Sequence, residues 1–228
     1  MKKEALGRKP AKAYGGNGRS AVYEYGDNTG YMKNRGSFTW RNNNPGAINS
    51  SKFAQRHGGI GNNGRFAVFP DYATGRNATY KLLQASRYNT VSLGQAFYAY
   101  APPQDGNDTE AYIRDVVLST GLDRDKPMAD LTLKQRWSIV DAIIKHEKYE
   151  IGDIVPVSHF PKKYKWRTLK DKNVRDSHKP REGKIYYWNN PPKGGHPGED
   201  HGCRCWPEAF DLPKIKSAYN PYHMTTFG

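Results

Sequence analysis

Residues 132–147, TLKQRWSIVDAIIKHE, set the fold reading for the chain around them. Thr132 and Gln135 have capping-box spacing, which satisfies two open N–H groups reciprocally and starts a helix. Leu133, Trp137, Val140 and Ile144 then recur every three to four residues, the period of an amphipathic helix. Glu147 lies seven residues beyond Val140 and four beyond Ile143, so its carboxyl projects beside the buried stripe. Partial desolvation and the negative end of the helix dipole both disfavour ionisation there. A carboxyl that keeps its proton near neutral pH is what a general acid requires.

Three further helices precede this one. The segment 77–86 carries Tyr80, Leu82 and Leu83, and the next opens with Ser92 and Gln95 in capping-box spacing and stops before Pro102 and Pro103. The third begins at Asn107 or Asp108, presents Tyr112, Ile113, Val116 and Val117, and ends at Gly121, a residue type that accepts a left-handed cap. Upstream lie the loops RNNNPGAINS (41–50) and HGGIGNNGR (57–65), then the apolar run FAVF (66–69), an edge strand closed by Pro70.

Residues 1–35 are rich in Gly, Lys and Asn and read as a flexible basic lead. Past Asp153, prolines and aromatics replace helical periodicity, with strand runs at Lys184–Trp188 and around Cys203–Trp206. The expected class is mainly α: the lead 1–35, a helical domain with a short β/loop element over 36–153, and a small loop-rich α+β or β module over 154–228.

A formal net charge of +14 with 36% hydrophobic residues requires a polar, basic surface. Both ends are more basic than the middle, which favours polyanions, either nucleic acid or the anionic bacterial envelope. No apolar run is long enough to span a membrane, and MKKEALGRKPAKAYGG lacks the apolar core of a classical signal peptide. Export is therefore expected to use a dedicated machine or a larger parent protein. Cys203 and Cys205 are the only cysteines, and one intervening residue is too few for an unstrained disulfide. Reduced thiols, a pair of metal ligands and chance all stay open.

The blocks WRNNNPGAI (40–48), GGIGNNGRFAVFPDYATG (58–75), YAPPQDGNDTEAYIRDVVLSTGL (100–122) and IVDAIIKHE (139–147) resemble, in this order, phage-borne and secretion-associated lysozyme-like domains with an NNPGN-type loop. AIIKHE is similar to the helix of soluble lytic transglycosylases and goose-type lysozymes that ends in a catalytic Glu followed by Ser. Here Lys148 takes the place of that Ser, and the helix follows the NNPG loop instead of preceding the glycan-binding segments. The resemblance implies cleavage of peptidoglycan between N-acetylmuramic acid and N-acetylglucosamine, with Glu147 as the acid and no cofactor required. In such a groove Asn43 and Asn44 would meet sugar acetamido groups, Pro45 and Gly46 would fix a tight turn, and Tyr98, Tyr100 and Tyr112 would offer flat faces to pyranose rings. Asp71, Asp105, Asp108 and Glu150 are available as a second carboxylate, and spacing does not rank them; hydrolase and transglycosylase both stay open.

In the tail, WRTLKDKNVRDSH (166–178) followed by PPKGGHPGEDHGCRC (191–205) is similar to the C-terminal motif of the minor head protein F family of Mu-like phages, a motif that also ends bacterial toxins. The block Asp171, Arg175, His178, Pro197, Gly198, Glu199, Cys203, Arg204 and Cys205 carries the similarity. Two chemistries compete with a purely structural or docking tail. His178, His196, His201, Cys203 and Cys205 suit a structural zinc, with His178, Cys203 and Cys205 as the set of ligands. Alternatively, His178 acts as base with Arg175 and Arg181 as phosphate clamps in a metal-independent nuclease.

The leading expectation is an antibacterial or phage-associated peptidoglycan glycosidase delivered to the target-cell periplasm, with an immunity protein and a secretion or phage carrier as partners. A toxin whose C-terminal module attacks nucleic acid, and a non-catalytic virion or secretion structural protein, are the alternatives.

Overall fold

The structure is a computed structural model that describes residues 8–16, 19–160, 162–200 and 203–209. Among the described residues, seven α-helices run from Phe38 to Glu147: α1 (Phe38–Arg41), α2 (Lys52–Arg56), α3 (Tyr72–Leu83), α4 (Ser86–Asn89), α5 (Leu93–Tyr100), α6 (Thr109–Thr120) and α7 (Leu133–Glu147). Both capping boxes read from the sequence are formed, Ser92 with Gln95 at α5 and Thr132 with Gln135 at α7. Asp108 caps α6 through the Ala111 N–H, and Gly121 closes it at φ +68°, where a side chain would be strained.

The buried face of α7 is Ile139, Val140, Ala142 and Ile143. It is rotated from the expected stripe: Leu133 is exposed, and Trp137 is half-buried with its ring stacked 4.4 Å from that of Tyr80. Leu83, Phe97, Tyr112, Val116 and Met128 complete this core. Such burial, more than propensity, is what holds helices of this length in water.

The expected mainly α class is overturned by the sheet. Of the described residues 35% are helix and 22% strand, and nine strands among them join in one mixed sheet. They are β1 (Lys12–Gly15), β2 (Ser20–Glu24), β3 (Gly30–Asn34), β4 (Gly61–Asn63), β5 (Phe66–Val68), β6 (Asp153–Val157), β7 (Lys163–Thr168), β8 (Ile185–Tyr187) and β9 (Cys205–Ala209). Their order is β6-β3-β2-β1-β9-β7-β8, with β4 beside β1 and β5 beside β4.

The stretch read as a flexible lead thus contains β1, β2 and β3. Ser20, Ala21, Val22 and Tyr23 of β2 are all buried, so this strand is covered on both faces and lacks the polar alternation that marks a half-exposed strand. β3 pairs antiparallel with β6, from Gly30 opposite Val157 to Asn34 opposite Asp153. The chain therefore leaves the sheet at β3, builds the helical lobe, and returns beside the strand it left. Away from β2, the edge of β1 is shared: Ala13 and Tyr14 pair with β4, and Gly15 pairs with Glu208 of β9. The β4–β5 hairpin of the helical lobe is thereby hydrogen-bonded into the sheet, with FAVF at its outer edge as expected. Among the described residues, no helix is long and apolar enough to cross a membrane.

Candidate functional site

Glu147 is the last residue of α7 and is half-buried. Tyr112 on α6 donates its O–H to Glu147 Oε1 at 2.9 Å, and the His146 ring stacks on that tyrosine with centroids 3.7 Å apart. Burial raises the Glu147 carboxyl above its ordinary 4.5, while the Tyr112 hydrogen bond, His146 and Arg65 pull the other way without reversing the shift. Lys148 follows at φ +56° and its carbonyl accepts from Thr39 Oγ1.

Tyr100 links this carboxyl to the NNPG loop. Its O–H donates to the Gly46 carbonyl, and burial with the nearby charge of Glu147 holds its hydroxyl well above the usual phenol range. Across from α7, Arg65 at the β4–β5 turn faces Asp105 at 4.0 Å. These two residues, with Asn49, Ser50, Gly64, Leu169, Cys203 and Arg204, enclose a cavity of about 210 Å³. Of the four carboxylates left unranked by spacing, Asp71 and Asp108 are used as helix caps, and Asp105 is the one that lines this cavity.

The loop asparagines have a different place from the one expected. Asn43 Nδ2 donates to the Phe69 and Pro70 carbonyls, and its Oδ1 accepts from Lys33 Nζ at 2.5 Å. Asn44, fully buried, donates to the Ile48 and Ala67 carbonyls and accepts from the Ile48 N–H. Their amides are spent on buried backbone groups and on Lys33, so they shape the loop. Pro45 and Gly46 are buried too, and a Cβ on Gly46 would collide with Thr79. Tyr112 is buried under His146, and exposed Tyr98 points away to Glu110, which also binds Arg124. The structure thus sets Tyr112 on Glu147 with Tyr100 close enough to feel its charge, ties Gly46 to Tyr100, and leaves Tyr98 apart.

Two residues escaped the sequence reading. Arg65 is concealed among glycines and asparagines that look like plain loop. Lys33, on β3, is buried with its ammonium 4.5 Å from the Trp40 ring and bonded to the Trp40 carbonyl and Asn43; burial pushes it down to about 8. It ties the sheet to the NNPG loop.

The tail holds a second cluster. Residues two apart on an extended chain share a face, and Cys203 and Cys205 both bring Sγ to 3.5 Å from His178 Nδ1. The Gly198 N–H points at Cys203 Sγ at 3.4 Å, and Asp200 Oδ2 lies 3.6 Å from His178 Nε2. A hydrogen bond from the Cys205 thiol pushes Cys203 down to about 5, and the same bond raises Cys205. The grouping suits a metal better than it suits a nuclease. His178 is only 5% exposed and turned toward sulfur, Arg175 pairs with Asp200, and Arg181 lies over the Trp166 ring while donating to the Lys193 carbonyl. His196 stands apart, bonded to Tyr164; His201 lies outside the described residues.

A protein of Haemophilus influenzae (strain ATCC 51907 / DSM 11121 / KW20 / Rd), described as "Uncharacterized protein", is 47% identical over 45 residues. The match covers 19% of this chain and 10% of that protein's length. Residues 145–207 match the family described as Phage Mu protein F like protein. The matched segment holds β6, β7 and β8 and most of β9, while β1, β2 and β3, which stand between β6 and β9 in the sheet, lie outside it. The C-terminal module of this chain is therefore similar to Phage Mu protein F like protein, completed here by strands from the other end of the chain.

Proposed function

We propose that the chain cleaves the glycan strand of bacterial peptidoglycan, with Glu147 as the proton donor. The observation that carries this reading is a carboxyl at the end of α7 that burial holds toward its protonated form while it remains partly open to solvent. A sugar oxygen is a poor leaving group until it is protonated, and the positive charge that then grows on the ring needs a nearby anion. Asp105, paired with Arg65 at the wall of a small cavity, is the carboxylate proposed for that second task. The similarity of residues 145–207 to Phage Mu protein F like protein supports a phage-derived setting; delivery to the target-cell periplasm, with an immunity protein guarding the producer, belongs to the proposal.

The test is digestion of purified murein by the intact chain, by Glu147→Gln and by Asp105→Asn, with released muropeptides identified by mass. Glu147→Gln is expected to lower release by a factor on the order of 100 or more while leaving the fold intact. Reducing ends among the products indicate hydrolysis, and anhydro ends indicate transglycosylation. Undiminished release by Glu147→Gln, or no release by the intact chain across pH and salt, overturns the proposal.

A further inference from the structure

We infer that His178 Nδ1, Cys203 Sγ and Cys205 Sγ form a zinc site that fastens β9 to the turn carrying His178. The three donor atoms lie within 4.8 Å of one another, and each sulfur is 3.5 Å from the imidazole nitrogen. Around a tetrahedral zinc with bonds of roughly 2.05 Å to nitrogen and 2.3 Å to sulfur, that nitrogen–sulfur edge is about 3.6 Å. Both nitrogen–sulfur edges are already spaced as a bound ion would space them.

The surroundings fit the same ion. Two thiolates and one imidazole are soft and borderline ligands, the set that selects zinc over magnesium or calcium. Asp200, itself held by Arg175 at 3.3 Å, stands behind His178 at Nε2. At 3.6 Å its negative charge favours the ring proton on Nε2, the tautomer that turns the Nδ1 lone pair to the sulfurs, and a small closure would give the hydrogen bond of carboxylate–histidine–zinc sites. The Gly198 N–H directed at Cys203 Sγ, 3.4 Å away, stabilises a thiolate. Disulfide formation does not explain the pair, because a single intervening residue would strain it.

The position gives the ion a structural task. β9 lies between β1 and β7, and the Cys205 carbonyl accepts from Asn62 Nδ2 of β4 at 3.1 Å. A metal that fixes Cys205 therefore steadies the strand to which Asn62 ties the β4–β5 hairpin, with Arg65 at its turn. This assignment stands independently of the glycan-cleaving reading, since its readouts are metal content and thiol reactivity.

The full chain, produced in zinc-supplemented medium and desalted, is expected to carry one zinc per molecule. His178→Ala and Cys205→Ser should lose it. Replacement by cobalt(II) should give a sulfur-to-cobalt charge-transfer band in the near ultraviolet. Because the variants can misfold, the wild-type chain supplies a second readout: a chelator should lower the melting temperature and speed iodoacetamide alkylation of Cys203 several-fold, and added zinc should reverse both. A folded wild-type chain that holds no zinc, gives no cobalt band and alkylates at one rate with or without chelator overturns the site. Zinc retained equally by Cys205→Ser overturns it as well.

Discussion

The helical lobe and the sheet it interrupts are held together over different distances along the chain. In the lobe, the side-chain N-caps of α5, α6 and α7 each close within three residues, and these helices bury their faces on near neighbours. In the sheet, β3 waits for β6 on the far side of the whole lobe, and β1 waits for β9 near the other end of the described chain. Local contacts form at small entropic cost, whereas distant strand pairs must first close long loops. The two regions should therefore respond differently when either is damaged.

Deleting residues 1–35 should have the largest effect. It removes β1, β2 and β3, leaving β6 without a strand partner and β9 with β7 alone. Hydrogen exchange is expected to show lost protection over 153–209 while amides of α3, α5, α6 and α7 keep theirs. Unchanged protection in both regions would break the comparison and restore the flexible lead.

Asn44→Ala should be smaller, and it separates loop architecture from ligand contact. The substitution strands the buried Ile48 N–H and removes the Asn44 donor from the Ala67 and Ile48 carbonyls, the latter keeping its bond from the Ala67 N–H, a cost on the order of 2 kcal/mol. Urea unfolding measures it. Normal stability with weakened murein binding would instead return Asn44 to the groove.

The same contrast explains what could be read beforehand. The caps of α5, α6 and α7 are local pairs of residues, so Ser92 with Gln95, Asp108, Gly121 and Thr132 with Gln135 were legible. β2 was not, because a strand buried on both faces has no alternation and its partners are recorded elsewhere in the chain. In the site, the partial burial of Glu147 followed from helical period, and the tail cysteines were singled out by residue type as ligands alongside the histidines. Asn43 and Asn44 misled because an amide suited to a sugar is equally suited to a buried backbone, and only burial tells the two apart. Lys33 and Arg65 act across elements, so neither carries a signal in its own neighbourhood.

The smallest effect is also the most direct probe of the proposed chemistry: the carboxyl carbon of Glu147, labelled with carbon-13, followed by NMR as a function of pH. Burial predicts a midpoint above 4.5. Because the folded state then holds the proton more tightly than the unfolded chain, wild-type stability relative to Glu147→Gln should be full below 4.5 and decline as pH rises through that midpoint. A midpoint at or below 4.5, with a stability difference indifferent to pH, would contradict the assignment of Glu147 as a proton-holding acid.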